Sequence, residues 1–330
     1  MLEQGIHFHP KLGTSDEEKV PIRKGYGQGL LEAGEKDRRV VALCADLTES
    51  TQTHLFRDRF PGRFVEMGIA EQSMASVASG MAAMGKIPFF TSYAMFSPGR
   101  NWEQIRTTIC YNDVNVKIVG SHAGVSVGPD GGTHQALEDI AITRVIPRMT
   151  VIVPCDAEEA RKATIAAADH DGPVYIRLQR EETPLMTTDV SPFEIGKAQC
   201  LYRSSNPSVT IFACGAAVRT ALTVAEELAG DIGVIVVNVP TVKPLDPTVC
   251  TYAEASGCTV TIEEHQRIGG LGSAVAEMIS ESCPMPVHRV GVDDRFGQSG
   301  TPEELIDHYG LSKEHLAEIV RVAAGGRGAR

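Results

Sequence analysis

Glu71 is the only charged residue in the segment 67–85, MGIAEQSMASVASGMAAMG. At helical spacing its neighbours are Met67, Gly68, Met74 and Ala75, so no Lys or Arg three or four positions away can neutralise it. A helix of small residues packs closely on other backbone. The pattern therefore predicts a buried carboxylate without a partner, a group suited to proton chemistry. The alternative is a first-turn Glu that stabilises a helix N-terminus through the dipole. A second candidate is the loop 120–134, GSHAGVSVGPDGGTH, with five glycines. Glycines let backbone approach a ligand, and His122, Asp130 and His134 then offer polar contacts for a substrate. The alternative there is a surface lid with solvated histidines. Asp46 follows an apolar run and reads most simply as a helix cap. Tyr93 and Phe96 are three apart, as packing residues or as the wall of an aromatic ligand site. Arg23 and Arg180 are either surface cations or bidentate phosphate grips. Neither GxGxxG opening a helix after a strand nor GxxxxGK[ST] occurs, so nicotinamide-dehydrogenase and P-loop readings lack their fingerprints.

These side chains need a scaffold, and the chain has length for two domains. It has 330 residues, with 31 Lys+Arg against 42 Asp+Glu, a net charge of −11. That balance argues against a nucleic-acid partner, which needs a basic face. Hydrophobic residues make up 42%, too many for a disordered chain. No apolar stretch approaches the roughly 20 residues that span a bilayer. The first residues lack the basic and apolar regions of a secretory signal. The eight cysteines contain no CxxC pair, which signals neither zinc nor a redox dithiol but reduced core residues. A soluble, cytoplasmic protein with no membrane contact is the expectation.

Apolar runs predict strands at 40–44, 87–91, 114–119, 150–153 and 174–178. Helices are expected near 67–84, 100–111, 134–143 and 156–170. A second series has strands at 209–213, 232–239, 258–262 and 287–290. Its helices are expected near 216–229, 270–282, 301–308 and 312–323. Nearly continuous apolar strands alternating with helices indicate parallel sheets covered on both faces. The fold class is therefore α/β, two doubly wound αβα sandwiches. The polar stretch 183–197 reads as the connection. The domains are 1–186 and 199–330, with 187–198 as linker, and the tail 325–330 is expected to fray. Such sheets bind ligands beyond the carboxyl ends of their strands, here the loops 45–50, 92–99 and 120–134.

Five ordered motifs resemble one family. They are Ala45-Asp46-Leu47, Gly68-Ile69-Ala70-Glu71-Gln72, Phe90-Thr91-Ser92-Tyr93, Gly128-Pro129-Asp130-Gly131-Gly132-Thr133-His134-Gln135 and Val153-Pro154-Cys155-Asp156. The series is similar to the carboxyl-terminal half of transketolase over residues 20–325. The resemblance implies a pyrimidine-binding fold for thiamine diphosphate, followed by a transketolase C-terminal domain. It implies that Glu71 and His134 are catalytic, Glu71 by holding the aminopyrimidine ring in its imino form. Asp46, Tyr93 and Phe96 would join Glu71 at the cofactor. His134 and Asp130 would contact donor hydroxyls and carbonyl. Arg23, Ser50, His122 and Arg180 would bind the sugar phosphate.

The Gly-Asp-Gly motif and downstream Asn that hold the metal in this family are absent from the chain. The resemblance thus implies one half of a split transketolase. No metal ligand belongs to this chain. Mg2+ or Ca2+ and the diphosphate would be held by a separate N-terminal subunit, in a probable α2β2 assembly. The activity implied is two-carbon ketol transfer between a ketose phosphate and an aldose phosphate, with the pentose phosphate pathway as the default setting. Alternatives are the beta subunit of a 2-oxoacid dehydrogenase, a deoxyxylulose-phosphate-synthase-like enzyme, or a non-catalytic assembly or regulatory subunit. In the second domain, Glu263-Glu264-His265 and Gly269-Gly270-Leu271-Gly272-Ser273 are its clearest motif. The glycine run opens a helix and could bind an anion, although the family places no catalytic residue there.

Overall fold

A computed structural model describes Leu2 and residues 7–325, so the tail expected to fray lies, beyond Gly325, outside the described residues. The first half contributes β1 (Lys19–Pro21), β2 (Val40–Cys44), β3 (Phe64–Glu66), β4 (Ile87–Tyr93), β5 (Lys117–Ser121), β6 (Thr150–Ile152), β7 (Val174–Arg177) and β8 (Glu182–Pro184). The second half contributes β9 (Gln199–Arg203), β10 (Val209–Ala213), β11 (Val234–Asn238), β12 (Thr241–Lys243), β13 (Thr259–Gln266) and β14 (Val287–Val292). They form two main sheets, ordered β12-β6-β7-β5-β4-β2-β3 and β14-β13-β10-β11-β9. In the first, all neighbours from β6 to β3 are parallel and β12 runs antiparallel at the edge. In the second, β9 is the antiparallel edge strand. This is the expected α/β arrangement of two doubly wound sheets.

The strands are apolar throughout because helices cover both faces of each sheet. Every residue of β2 (VVALC) and β10 (VTIFA) is buried. Alternation sorts them: Val40 and Ala42 pack with Ile22, Tyr26 and Leu30, while Val41 and Leu43 pack with Met74, Ala75 and Ala78. The second of these cores continues into the other domain through Phe212, Ile235 and Leu271. Seven of the eight cysteines are buried, and all are free thiols.

The helix Ile22–Lys36 was not predicted, although it carries Arg23. Its glycines hide the amphipathic pattern and also explain its position. It lies so close to the helix Ala157–Asp169 that a Cβ on Gly25 would come within 1.7 Å of the Ala157 carbonyl oxygen. Helices His54–Arg59 and Thr248–Ser256 were also not predicted. The polar stretch 183–197 is more ordered than a tether. Its start lies in β8, which pairs with β1. Asp156 then accepts from the Met186 and Thr187 amides at 2.7 and 2.6 Å. β12 was not predicted as a strand; it lies in the stretch assigned to the second domain and yet joins the edge of the first domain's sheet. Among the described residues no helix is long and apolar enough to cross a membrane.

Gly25→Ala should force the two helices apart, because backbone rather than a flexible side chain blocks the methyl. A loss of about 2–3 kcal/mol is expected, read as a lower midpoint in thermal or denaturant unfolding.

Candidate active site

The carboxyl ends of β2, β4, β5 and β7 converge, and most of the candidate residues follow them directly. Glu71 opens the helix Glu71–Ala83 and is 1% exposed. Its Oε1 accepts from Ser92 Oγ at 3.0 Å, and Asn101 donates to its carbonyl at 3.1 Å. Its Oε2 is paired with Arg100 Nη1 at 2.6 Å. This corrects the expectation of an unpaired carboxylate: the partner comes from a later segment, beyond the reach of helical spacing. Arg100 was missed, although it is the only charge in residues 87–101, directly after the aromatic pair.

Tyr93 ends β4 and stacks on His122 with centroids 3.9 Å apart. Phe96 lies 6.2 Å from Tyr93, nearly parallel, and His134 presents its edge to Phe96 at 5.5 Å. The two aromatic residues and His134 are half-buried, so part of each ring remains open. The Arg100 guanidinium carbon sits 4.9 Å from the Phe96 centroid.

His122, with φ at +57°, is held between polar partners. Arg23 Nη1 is 3.2 Å from its Nε2, and Ser121 Oγ is 2.9 Å from its Nδ1. Burial, then repulsion from Arg23, Arg180 and His134, pushes its pKa down to about 3. A neutral ring with Nε2 accepting from Arg23 carries its proton on Nδ1, donating to Ser121. Burial, then Arg180, also lowers the Arg23 pKa. Arg180 donates to the Val127 carbonyl at 2.7 Å and lies 3.6 Å from Asp130. Arg23 and Arg180 therefore both bear on an uncharged imidazole, with Asp130 and Glu181 each 3.6 Å from Arg180.

Asp130 sits against Arg180, within this cationic group. Ser50 is half-buried in the turn after β2, and among the described residues it makes no hydrogen bond or ion pair to Arg23, His122 or Arg180. Asp46 caps no helix. It is exposed, with φ at +57°, and its amide donates to Glu66 Oε1 at 2.7 Å. Among the described residues no three His, Cys, Asp or Glu side chains gather as metal ligands.

Residues 18–186 match the transketolase pyrimidine-binding domain, and residues 196–316 match the transketolase C-terminal domain. The chain is 43% identical to a putative transketolase C-terminal section of Methanocaldococcus jannaschii, over 91% of this chain and 95% of that one. It is 45% identical to a 6-deoxy-6-sulfo-D-fructose transketolase subunit of a Clostridium species, over 92% and 93%. A solved structure, described as a split gene transketolase, inactive beta4 tetramer, superposes with a TM-score of 0.86 at 44% identity, covering 93% of this chain and 99% of that one. The chain belongs to the transketolase family.

A transketolase pyrimidine-binding domain implies dependence on thiamine diphosphate, and the residues present fit its pyrimidine. A buried carboxylate lies beside two half-buried aromatic rings, and the fully buried Asn101 Oδ1 next to it has no partner among the described residues. The transketolase C-terminal domain supports the site from outside. At the end of β13, Glu264 Oε1 accepts the Ser126 amide at 2.6 Å and Oε2 accepts from Gln179. Burial raises the Glu264 pKa, against the opposing pull of Arg177. Gly124 fits only without a side chain, since a Cβ there would be 2.2 Å from Glu264 Oε1. The anion site expected at the glycine run is already filled. Glu263 accepts the Leu271 and Gly272 amides at 2.7 and 2.8 Å, so the chain supplies its own anion to that helix.

The His122 ring proton resonances should not titrate between about pH 8 and about pH 5, where an ordinary histidine does. Because its folded pKa lies below the unfolded value, the unfolded chain binds more protons over that interval. The His122 contribution to stability is thus complete above about pH 6.5 and is lost as pH falls toward about 3. Glu264→Gln would turn an acceptor into a donor against Ser126 or Gln179. Amide exchange at Ser126, followed by mass spectrometry or NMR, should rise about tenfold or more.

Proposed function

We propose that the chain is the carboxyl-terminal subunit of a thiamine-diphosphate-dependent transketolase. It would move a two-carbon ketol unit from a ketose phosphate to an aldose phosphate, with a separate subunit holding the diphosphate and a Mg2+ or Ca2+ ion. The observation that carries this reading is the placement of Arg23, Arg180 and neutral His122 beside the Glu71–Phe96 group on one rim of the first sheet. Near-complete coverage of two relatives whose names mark them as a section or subunit supports the split organisation.

When bound, the cofactor supplies the nucleophilic carbon and the electron sink. Each residue of this chain then has a defined task. Glu71 accepts a hydrogen bond from the protonated ring nitrogen at the pyrimidine edge, in a water-poor site. Tyr93 and Phe96 provide the apolar wall. His134, beside Phe96, hydrogen-bonds the substrate where oxygen charge develops. Arg23 and Arg180 bind the terminal anion, and His122, its two ring nitrogens engaged by Arg23 and Ser121, lines that site as an uncharged ring. Asp130 orients Arg180. Ser50 and Asp46 belong to the same rim, and their contacts with substrate or cofactor remain part of the proposal.

The Clostridium relative is named for a sulfonated sugar, which also ends in an anion. Two guanidiniums favour a dianionic phosphate over a monoanionic sulfonate. Mixing this chain with its partner subunit should produce turnover of phosphorylated sugars, and the chain alone should produce none. Activity of the isolated chain would refute the split organisation. Arg180→Ala should raise KM for a phosphorylated acceptor about tenfold or more, with little change for its unphosphorylated analogue. An equal rise for both would remove Arg180 from phosphate binding.

A further inference from the structure

We infer that the Arg100 guanidinium stands in for the pyrimidine ring of the cofactor, and that loading the site requires Arg100 to leave Glu71. The inference rests on the reading above, in which Glu71 and Phe96 are pyrimidine contacts. The Arg100 side chain is 44% exposed, whereas that of Glu71 is 1% exposed. One end of a partly exposed side chain therefore reaches a buried carboxylate. Its Nη1 is 2.6 Å from Glu71 Oε2 and its guanidinium carbon is 4.9 Å from the Phe96 centroid.

A guanidinium is flat and cationic, donates N–H groups along its edge and packs on aromatic faces. The edge of an aminopyrimidine whose ring nitrogen carries a proton, the form a carboxylate holds, is also flat and donates N–H. One carboxylate oxygen and one phenyl face cannot serve both groups in this geometry. The pairing also has a purpose without cofactor. A buried carboxylate stripped of its partner is strongly destabilising, and Ser92 alone supplies one neutral hydrogen bond. Arg100 keeps Glu71 compensated until a ligand replaces it. Being half in solvent, it can then swing outward and be hydrated, while Glu71 remains in place at the helix start. Apparent cofactor affinity is consequently lowered by the fraction of molecules in which Arg100 occupies the slot.

The test uses the complex of this chain with its diphosphate-binding partner, titrated calorimetrically with thiamine diphosphate and Mg2+. Arg100→Met should tighten binding about tenfold, because the competitor is gone. Arg100→Lys, with a compact ammonium that stacks poorly, should give a smaller gain. In a Glu71→Gln background the gain from Arg100→Met should vanish, since Arg100 then has no carboxylate to hold. A merely structural Arg100 would not show that coupling. Unchanged or weaker binding in Arg100→Met, with normal binding by the wild type, overturns the stand-in role and leaves the proposed function intact. Should Arg100→Met fail to fold, absence of any gain in Arg100→Lys overturns it equally. If the wild-type complex binds no thiamine diphosphate, the functional reading itself fails and the inference with it.

Discussion

Glu264 couples the two domains through a buried carboxylate whose two donors, the Ser126 amide and the Gln179 side chain, both belong to the first domain. Separating the domains would leave that group buried without compensation or force it into water together with its neighbours. Either change costs far more than a surface contact. Arg177 extends the tie. It donates to the Glu264 carbonyl at 2.7 Å and pairs with Asp139 at 2.9 Å, with the Tyr175 hydroxyl on the same oxygen. The loop between β5 and the helix Asp139–Arg144 is thereby fastened at both ends. Gln135 fastens its middle, donating to Val125, Gly128 and Gln298 carbonyls. His134, Asp130 and the Val127 carbonyl that holds Arg180 all lie on this loop. The second domain thus fastens the loop that carries the candidate residues His134 and Asp130.

Electrostatics at the site follow from which charges are left uncompensated. Arg23 and Arg180 repel each other and share an imidazole that burial keeps neutral. Asp130 and Glu181, each 3.6 Å from Arg180, offset part of that repulsion. Glu71 is the opposite case, a negative charge already matched by Arg100. Carboxylates thus stand beside the guanidiniums on both sides of the Tyr93–Phe96 wall, Asp130 and Glu181 at Arg180 and Glu71 at Arg100. The chain's net charge of −11 says nothing of this, since it describes the solvated surface.

Nine of the described strands were readable from their apolar runs, and β2 and β10 have the predicted bounds, whereas β1, β3, β8, β9 and β12 were not predicted. The helix Ile22–Lys36 was not, because a helix seated on another through Gly25 and Gly29 loses the periodicity that reveals it. β12 could not be assigned to a sheet, since three residues carry no mark of the domain they will join. Asp46 shows how a polar residue after a strand misleads. It looks like a cap, but the nearest helix begins at His54, and Glu66 from a neighbouring strand takes its amide instead.

By itself, the sequence determined the α/β class and the family, and it singled out candidate side chains. Residue type and local spacing carry that information. Tertiary structure decided which charges are matched. Arg100 meets Glu71 across 29 positions, Arg23 meets His122 across 99, and Glu264 meets Ser126 across 138. Compensating a buried charge depends on distance in space, which the order of residues along the chain does not specify.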